Sequence, residues 1–177
     1  MLIATWFYTG KFKFAPGTVG SLAAYPLYYF MVSGSFDIEE AQFSLYITVI
    51  ILFILGILAI DKFHKETYLI DDKSIVIDEV IGQLLTIALS LQSLKYLASN
   101  FFNIKSELML INFIFVVAFI LFRFFDIRKP LFISIIDRRM KNALGVILDD
   151  VGAALLSAAT IGVVGYIAKL FNSHGYF

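Results

Sequence analysis

The chain is 177 residues long and 60% hydrophobic, with 19 Phe, 9 Tyr and a mean hydropathy of +0.86, well above the roughly 45–50% apolar content of an ordinary soluble domain. Its 14 basic and 14 acidic residues balance, so no basic field is present to draw a nucleic-acid backbone, and nucleic acid is excluded as a partner. Zero Cys removes disulfides, thiolate metal sites and Cys-nucleophile chemistry without fixing a redox compartment.

Residues 1–13 lack a basic region followed by an apolar run and a cleavage site, so no removable signal peptide is expected. Residues 18–32 form a weak apolar segment interrupted by Pro26, which predicts a short or kinked helix. Four longer apolar stretches follow, at 42–60, 80–98, 108–122 and 151–171. Each approaches the ~20 residues that a spanning helix needs. The runs are too long for strands and lack sustained period-two alternation. The expected fold is all-α: a single domain over residues 1–177 forming a membrane-embedded multi-helix bundle with about four to five apolar helices. A compact helical domain resting on the membrane, or soluble, is the alternative.

Most of the charge lies in two polar stretches, 61–79 and 123–150. If all five segments cross, both stretches share one side with Lys11 and Lys13. That side also collects Lys62, Lys65, Lys73, Arg128, Lys129, Arg138, Arg139 and Lys141, against essentially Lys105 and Lys169 on the other. The positive-inside tendency then turns the charged side toward the cytoplasm.

Four motifs carry chemistry. In Pro16-Gly17-Thr18-Val19-Gly20-Ser21, the glycines allow close backbone approach, and Thr18 or Ser21 can cap a helix whose free N–H groups favour an anion. A turn without a ligand is the plain alternative, and the Lys-Ser/Thr ending of a P-loop is absent. The second motif runs from Asp71 and Asp72 through Lys73 and Ser74 to Asp78, Glu79 and Gly82. Adjacent carboxylates at the start of an apolar helix suit the helix dipole, and they also concentrate charge that a hard divalent cation would neutralise. In the third, Arg123, Asp126 and Lys129 stand three apart on one helical face, before a stop at Pro130. An ionisable cluster at the end of an apolar helix must face protein or water, and it is a functional candidate by default. In the fourth, Gly145 leads to Asp149 and Asp150, a second acidic pair expected to precede an apolar helix, with small residues following. Two acidic pairs and a basic cluster on one membrane face describe a polar site for metal and phosphate.

The elements Pro-Gly-Thr-x-Gly-Ser, Asp-x-x-Ser-Ile-Val-x-Asp-Glu-x-x-Gly, Phe-Arg-x-x-Asp-x-x-Lys-Pro and Gly-x-x-x-Asp-Asp, in this order across residues 16–150, resemble the phosphatidylglycerophosphatase A family. The resemblance implies a helical bundle with one helix surrounded by others. It also implies a magnesium-dependent enzyme of the bacterial inner (cytoplasmic) membrane that acts on phosphatidylglycerophosphate in phospholipid biosynthesis. Residue by residue it points to Thr18, Ser21, Asp71, Asp78, Glu79, Arg123, Asp126, Lys129, Asp149 and Asp150. The chain departs from the family pattern at Ile77, where Trp is usual, at Leu131 and Phe132, and at Asn142 and Ala143, where glycines usually stand.

The expected mechanism is phosphomonoester hydrolysis. Asp78, Glu79, Asp149 and Asp150, with Asp71 as a further ligand, hold magnesium, and Asp126 orients a cation. Arg123 and Lys129, with Thr18 and Ser21, bind the phosphate of a membrane-lipid substrate. His64 and His174 are expected at the surface, and no Asp-x-Asp nucleophile pair is present. The rival classes are an ion-coupled transporter with acidic cation-binding residues and a membrane-anchoring scaffold.

Overall fold

The computed structural model describes residues 1–35, 37–68, 72–129, 140 and 142–173, and among them every regular element is helical. A short 3-10 turn, Thr9–Lys11, precedes α1 (Pro16–Ala23) and α2 (Tyr25–Ser33). Then come α3 (Ile38–Thr67), α4 (Ile77–Tyr96), a π turn (Leu97–Phe101), α5 (Glu107–Arg128) and α6 (Ala143–Ser173). The all-α expectation holds, and α3, α5 and α6 start ahead of their apolar runs because polar side chains cap them there.

Those caps are legible as chemistry. Asp37 Oδ1 accepts from the Glu40 amide at 2.8 Å, and Glu39 and Glu40 place negative charge in the first turn of α3. The Ser106 side chain accepts from the Met109 amide and caps α5. Asn142 Oδ1 accepts from the Gly145 amide at 2.9 Å and caps α6, so the residue that departs from the family's glycine supplies a helix start of its own. As a result Asp149 and Asp150 do not precede the last helix, as the apolar run implied. They lie inside α6, in its second turn.

Four helices, α3, α4 with its π extension, α5 and α6, are long and apolar enough to cross a membrane. They are not equivalent. α4 packs on α6, α3, α5 and α1, and Ile77, Val80, Ile81, Leu84, Ile87 and Leu94 are wholly buried. It is the surrounded helix that the resemblance implied. The other three bury one stripe and expose large side chains, such as Phe43, Ile54 and Leu58 on α3 or Ile120 on α5. Water does not tolerate so much contiguous apolar surface on a monomer, and lipid covers it without cost.

The fifth apolar segment is a broken helix. α1 and α2 meet at Ala24, with Pro26 in the first turn of α2. A Cβ on Gly17 would meet Glu79 and Arg123, whereas Tyr28 donates from its hydroxyl to the Ile111 carbonyl at 3.0 Å. Residues 17 to 28 rise about 16 Å, so the pair runs from one end of the bundle toward the other. One end therefore gathers the starts of α1, α4 and α6 and the ends of α3 and α5. Its described cations are Lys11, Lys13, Lys62, Lys65, Lys73, Arg123, Arg128 and Lys129. The opposite end carries Lys95, Lys105 and Lys169. Lys95, in the last turn of α4, joins the sparse side, and the asymmetry stands. Arg138, Arg139 and Lys141 lie outside the described residues.

Candidate active site

Every functional side chain here is delivered by a helix end. Asp78 and Glu79 occupy the first turn of α4, held in place by backbone bonds from the Val76 and Ile77 amides to the Ala4 carbonyl at 3.0 and 3.2 Å. Arg123 and Asp126 come from the last turns of α5, and Lys129 is its C-cap in a left-handed conformation with φ 39°. That backbone costs a non-glycine residue on the order of 1–2 kcal/mol. The Nζ of Lys129 pairs with Asp149 Oδ2 across to α6, so a strained residue is spent on aiming a cation.

Two close approaches bring these ends together. A Cβ on Gly82 would lie 2.5 Å from Phe122 Cε2 and 3.2 Å from Asp150 Cβ, so glycine lets α4, α5 and α6 close on one another. A Cβ on Gly17 would strike Glu79 Oε1 and lie 3.2 Å from both terminal nitrogens of Arg123, so glycine also lets the start of α1 reach the acids.

The outcome is a cluster of five carboxylates. Oxygens of Asp78, Glu79 and Asp150 lie within 4.8 Å of one another, as do those of Asp126, Asp149 and Asp150. Asp150 belongs to both groups. Asp78 is 9% exposed, Asp149 6% and Asp150 4%, and the Asp78 Oδ1, Glu79 Oε2 and Asp150 Oδ2 atoms have no hydrogen-bond partner among the described residues. Arg123 pairs with Asp126 at 2.5 Å. Two cations thus face five acids, and carboxylates buried with excess negative charge demand compensation. An all-oxygen donor set of this kind fits magnesium, calcium or manganese and offers nothing to softer ions.

A cleft of about 370 Å³ opens onto the cluster, lined by Ala15, Pro16, Gly17, Asp78, Glu79, Arg123 and Lys129, with Asp72, Lys73, Ile75 and Val146. Asp78 and Glu79, the cations Arg123 and Lys129 and the start of α1 therefore face one space, with Asp126, Asp149 and Asp150 grouped beside them. The sequence model of the family described as Phosphatidylglycerophosphatase A matches residues 2–165. The chain belongs to this family. It is 30% identical over 167 residues to phosphatidylglycerophosphatase A of Escherichia coli K12, covering 93% of this chain and 83% of the relative. To phosphatidylglycerophosphatase A of Haemophilus influenzae it is 32% identical over 165 residues, covering 93% and 88%. A Bacteroides thetaiotaomicron relative, 28% identical over 173 residues and covered to 94% on each side, has a name that gives phosphatidylinositol-3-phosphatase as a conjectured activity. No solved structure matches the chain.

Within the phosphatidylglycerophosphatase A frame, Asp78, Glu79, Arg123, Asp126, Lys129, Asp149 and Asp150 come together at one end of the bundle, as motifs expected on one membrane face would. Asp71 lies outside the described residues. Thr18 and Ser21 behave differently from expectation. The N-cap of α1 is Ala15, whose side chain makes no capping bond, and the buried Ser21 hydroxyl donates to the Gly17 carbonyl at 2.9 Å. Neither residue caps the helix, because Pro16 starts it too early. Three features escaped the sequence reading. Asp126 reaches a possible metal group as well as Arg123, Asp72 and Lys73 line the cleft, and Gln83 is buried one turn below Glu79. His64, in the last turn of α3, is half-buried.

Proposed function

We propose that this chain hydrolyses the terminal phosphate monoester of phosphatidylglycerophosphate, giving phosphatidylglycerol and inorganic phosphate for phospholipid synthesis. The observation that carries this reading is the pair of carboxylate groups sharing Asp150, beside Arg123 and Lys129, with Asp78 and Glu79 of that cluster opening onto the cleft. Asp78, Glu79, Asp126, Asp149 and Asp150 are the residues that would hold magnesium, with Asp71 as a further ligand. Bound there, the metal supplies a Lewis acid for the phosphoryl oxygens and lowers the pKa of attacking water.

The protein's own share is positioning and charge. Arg123 and Lys129 neutralise the equatorial phosphoryl oxygens, with the carboxylates that hold them, Asp126 and Asp149, setting their direction. The first-turn N–H groups of α1, which the helix cannot satisfy internally, add donors for the same anion. Thr18 supplies a phosphate contact at that helix start, and Ser21 acts through the Gly17 carbonyl it holds. The apolar faces support a location in a bilayer, which we assign to the bacterial inner membrane. The excess of Lys and Arg at the site end supports a site that faces the cytoplasm.

The transporter reading finds less support, because the acids gather at one end of the bundle, whereas coupling-ion sites lie near the bilayer midplane. The test is phosphate release by purified chain in detergent, offered phosphatidylglycerophosphate, phosphatidylinositol 3-phosphate and glycerol 3-phosphate in parallel. Preferred release from phosphatidylglycerophosphate is the expected result. Preference for the inositol lipid would move the substrate assignment to that of the Bacteroides relative's name, and no release from any of them would overturn the enzyme reading.

A further inference from the structure

Gln83 is a buried polar side chain for which the reaction as described has no use. It is wholly buried on α4, and neither its Nε2 nor its Oε1 has a hydrogen-bond partner among the described residues. A buried polar group left unanswered costs about 1–3 kcal/mol, and native proteins seldom leave one so. Further along the same helix, Thr86 and Ser90 meet the same demand by donating to the Gly82 and Thr86 carbonyls at 2.9 and 2.6 Å. Gln83 does not turn back onto its own helix in this way.

Its direction follows from helix geometry. Helical side chains lean toward the N-terminus, over the residue one turn earlier, and for Gln83 that residue is Glu79. Residues so spaced have Cβ atoms about 5–6 Å apart. Glu79 faces Gly17 and Arg123 with its Oε1, while its Oε2 is buried and also lacks a partner. A donor and an acceptor, each otherwise unanswered, thus stand one turn apart inside the bundle.

We infer that Gln83 is a positioning residue for the acidic site. Its amide N–H donates to Glu79 Oε2 through one buried water, and fixes the orientation in which that carboxylate receives a divalent cation. The inference rests on the metal reading above. Supports of this kind are worth about 10–100-fold in metal affinity.

The test is a manganese titration of purified full-length chain in detergent, with free ion read by electron paramagnetic resonance and thermal unfolding measured on the same samples. Gln83→Met keeps length and apolar volume but removes the donor, and Thr86→Val, one turn deeper, is the control. The wild type and Thr86→Val should bind alike, and Gln83→Met should bind about 10–100-fold more weakly with no loss of thermal stability. Its magnesium requirement for turnover should rise in step, with the rate recovered at saturating ion. Unchanged affinity in a folded Gln83→Met protein overturns the inference alone, whereas a wild type that binds no manganese overturns the metal reading with it. If Gln83→Met and Gln83→Leu both fail to fold while Glu79→Gln folds, the amide is structural and the inference is wrong.

Discussion

Replacing Gly82 with alanine adds one methyl group at the point where three helices meet. The new Cβ would stand 2.5 Å from Cε2 and 2.6 Å from Cζ of Phe122, and 3.2 Å from Asp150 Cβ. Ordinary carbon contacts are about 3.5–4.0 Å, so the helices must part by about 1 Å. Phe122 is wholly buried and has no free space to enter. Overpacking of this kind costs about 1–3 kcal/mol, partly offset by the roughly 1 kcal/mol that alanine gains over glycine in a helix. Stability should therefore fall only modestly. Activity should fall much further, because the displaced helices carry Asp78 and Asp150, and a 1 Å misplacement can cost about 10²-fold in rate. Phosphate release and thermal unfolding on one preparation separate the two effects. Phe122→Leu, which removes the offending ring atoms, should restore part of the activity to Gly82→Ala. Wild-type turnover in Gly82→Ala alone would refute the reasoning.

Asp150→Asn removes charge from both carboxylate groups and Asp78→Asn from one, so both variants should fold and the Asp150 variant should bind manganese more weakly. Near-normal turnover in either would show that the acids serve the fold and not the site. Asn142→Ala deletes the side-chain cap of α6 and should lower stability by about 1 kcal/mol, read as a drop in unfolding temperature with the magnesium requirement unchanged. A change in metal requirement there would mean that the cap tunes the acids on α6 directly. Because the chain has no Cys, single cysteines at Lys73 and Asn103 can be labelled from either side of a sealed vesicle. Lys73 should react from the cytoplasmic side and Asn103 from the other, and reaction of both from one side would overturn the crossing topology.

The spans were legible because α3, α5 and α6 are exposed along most of their circumference and stay apolar there. α4 is the least apolar of the four, and its interior position accounts for that. A helix buried among others can carry Asp78, Gln83, Thr86 and Ser90, and hydropathy counts these against a membrane span without registering that protein surrounds them. The site was legible through paired acids and the three-residue spacing of Arg123, Asp126 and Lys129, since helical periodicity fixes which side chains share a face. What spacing within one segment could not convey was contact between segments. The sharing of Asp150 by two carboxylate groups depends on Gly82 and Phe122, and the reach of α1 depends on Gly17. The start of α6 was misplaced because Asn142 caps it ahead of the apolar run, and the helix cap expected of Thr18 or Ser21 does not form because Pro16 begins α1 before them.

The measurement that bears most directly on the account is the metal dependence of phosphate release. Purified chain in detergent is assayed on phosphatidylglycerophosphate after chelation and again after magnesium is restored. Hydrolysis should vanish on chelation, return with magnesium or manganese, and fail to return in Asp150→Asn at the same ion concentration. Full hydrolysis in excess chelator would contradict the carboxylate cluster as a metal site and with it the mechanism built on Asp150.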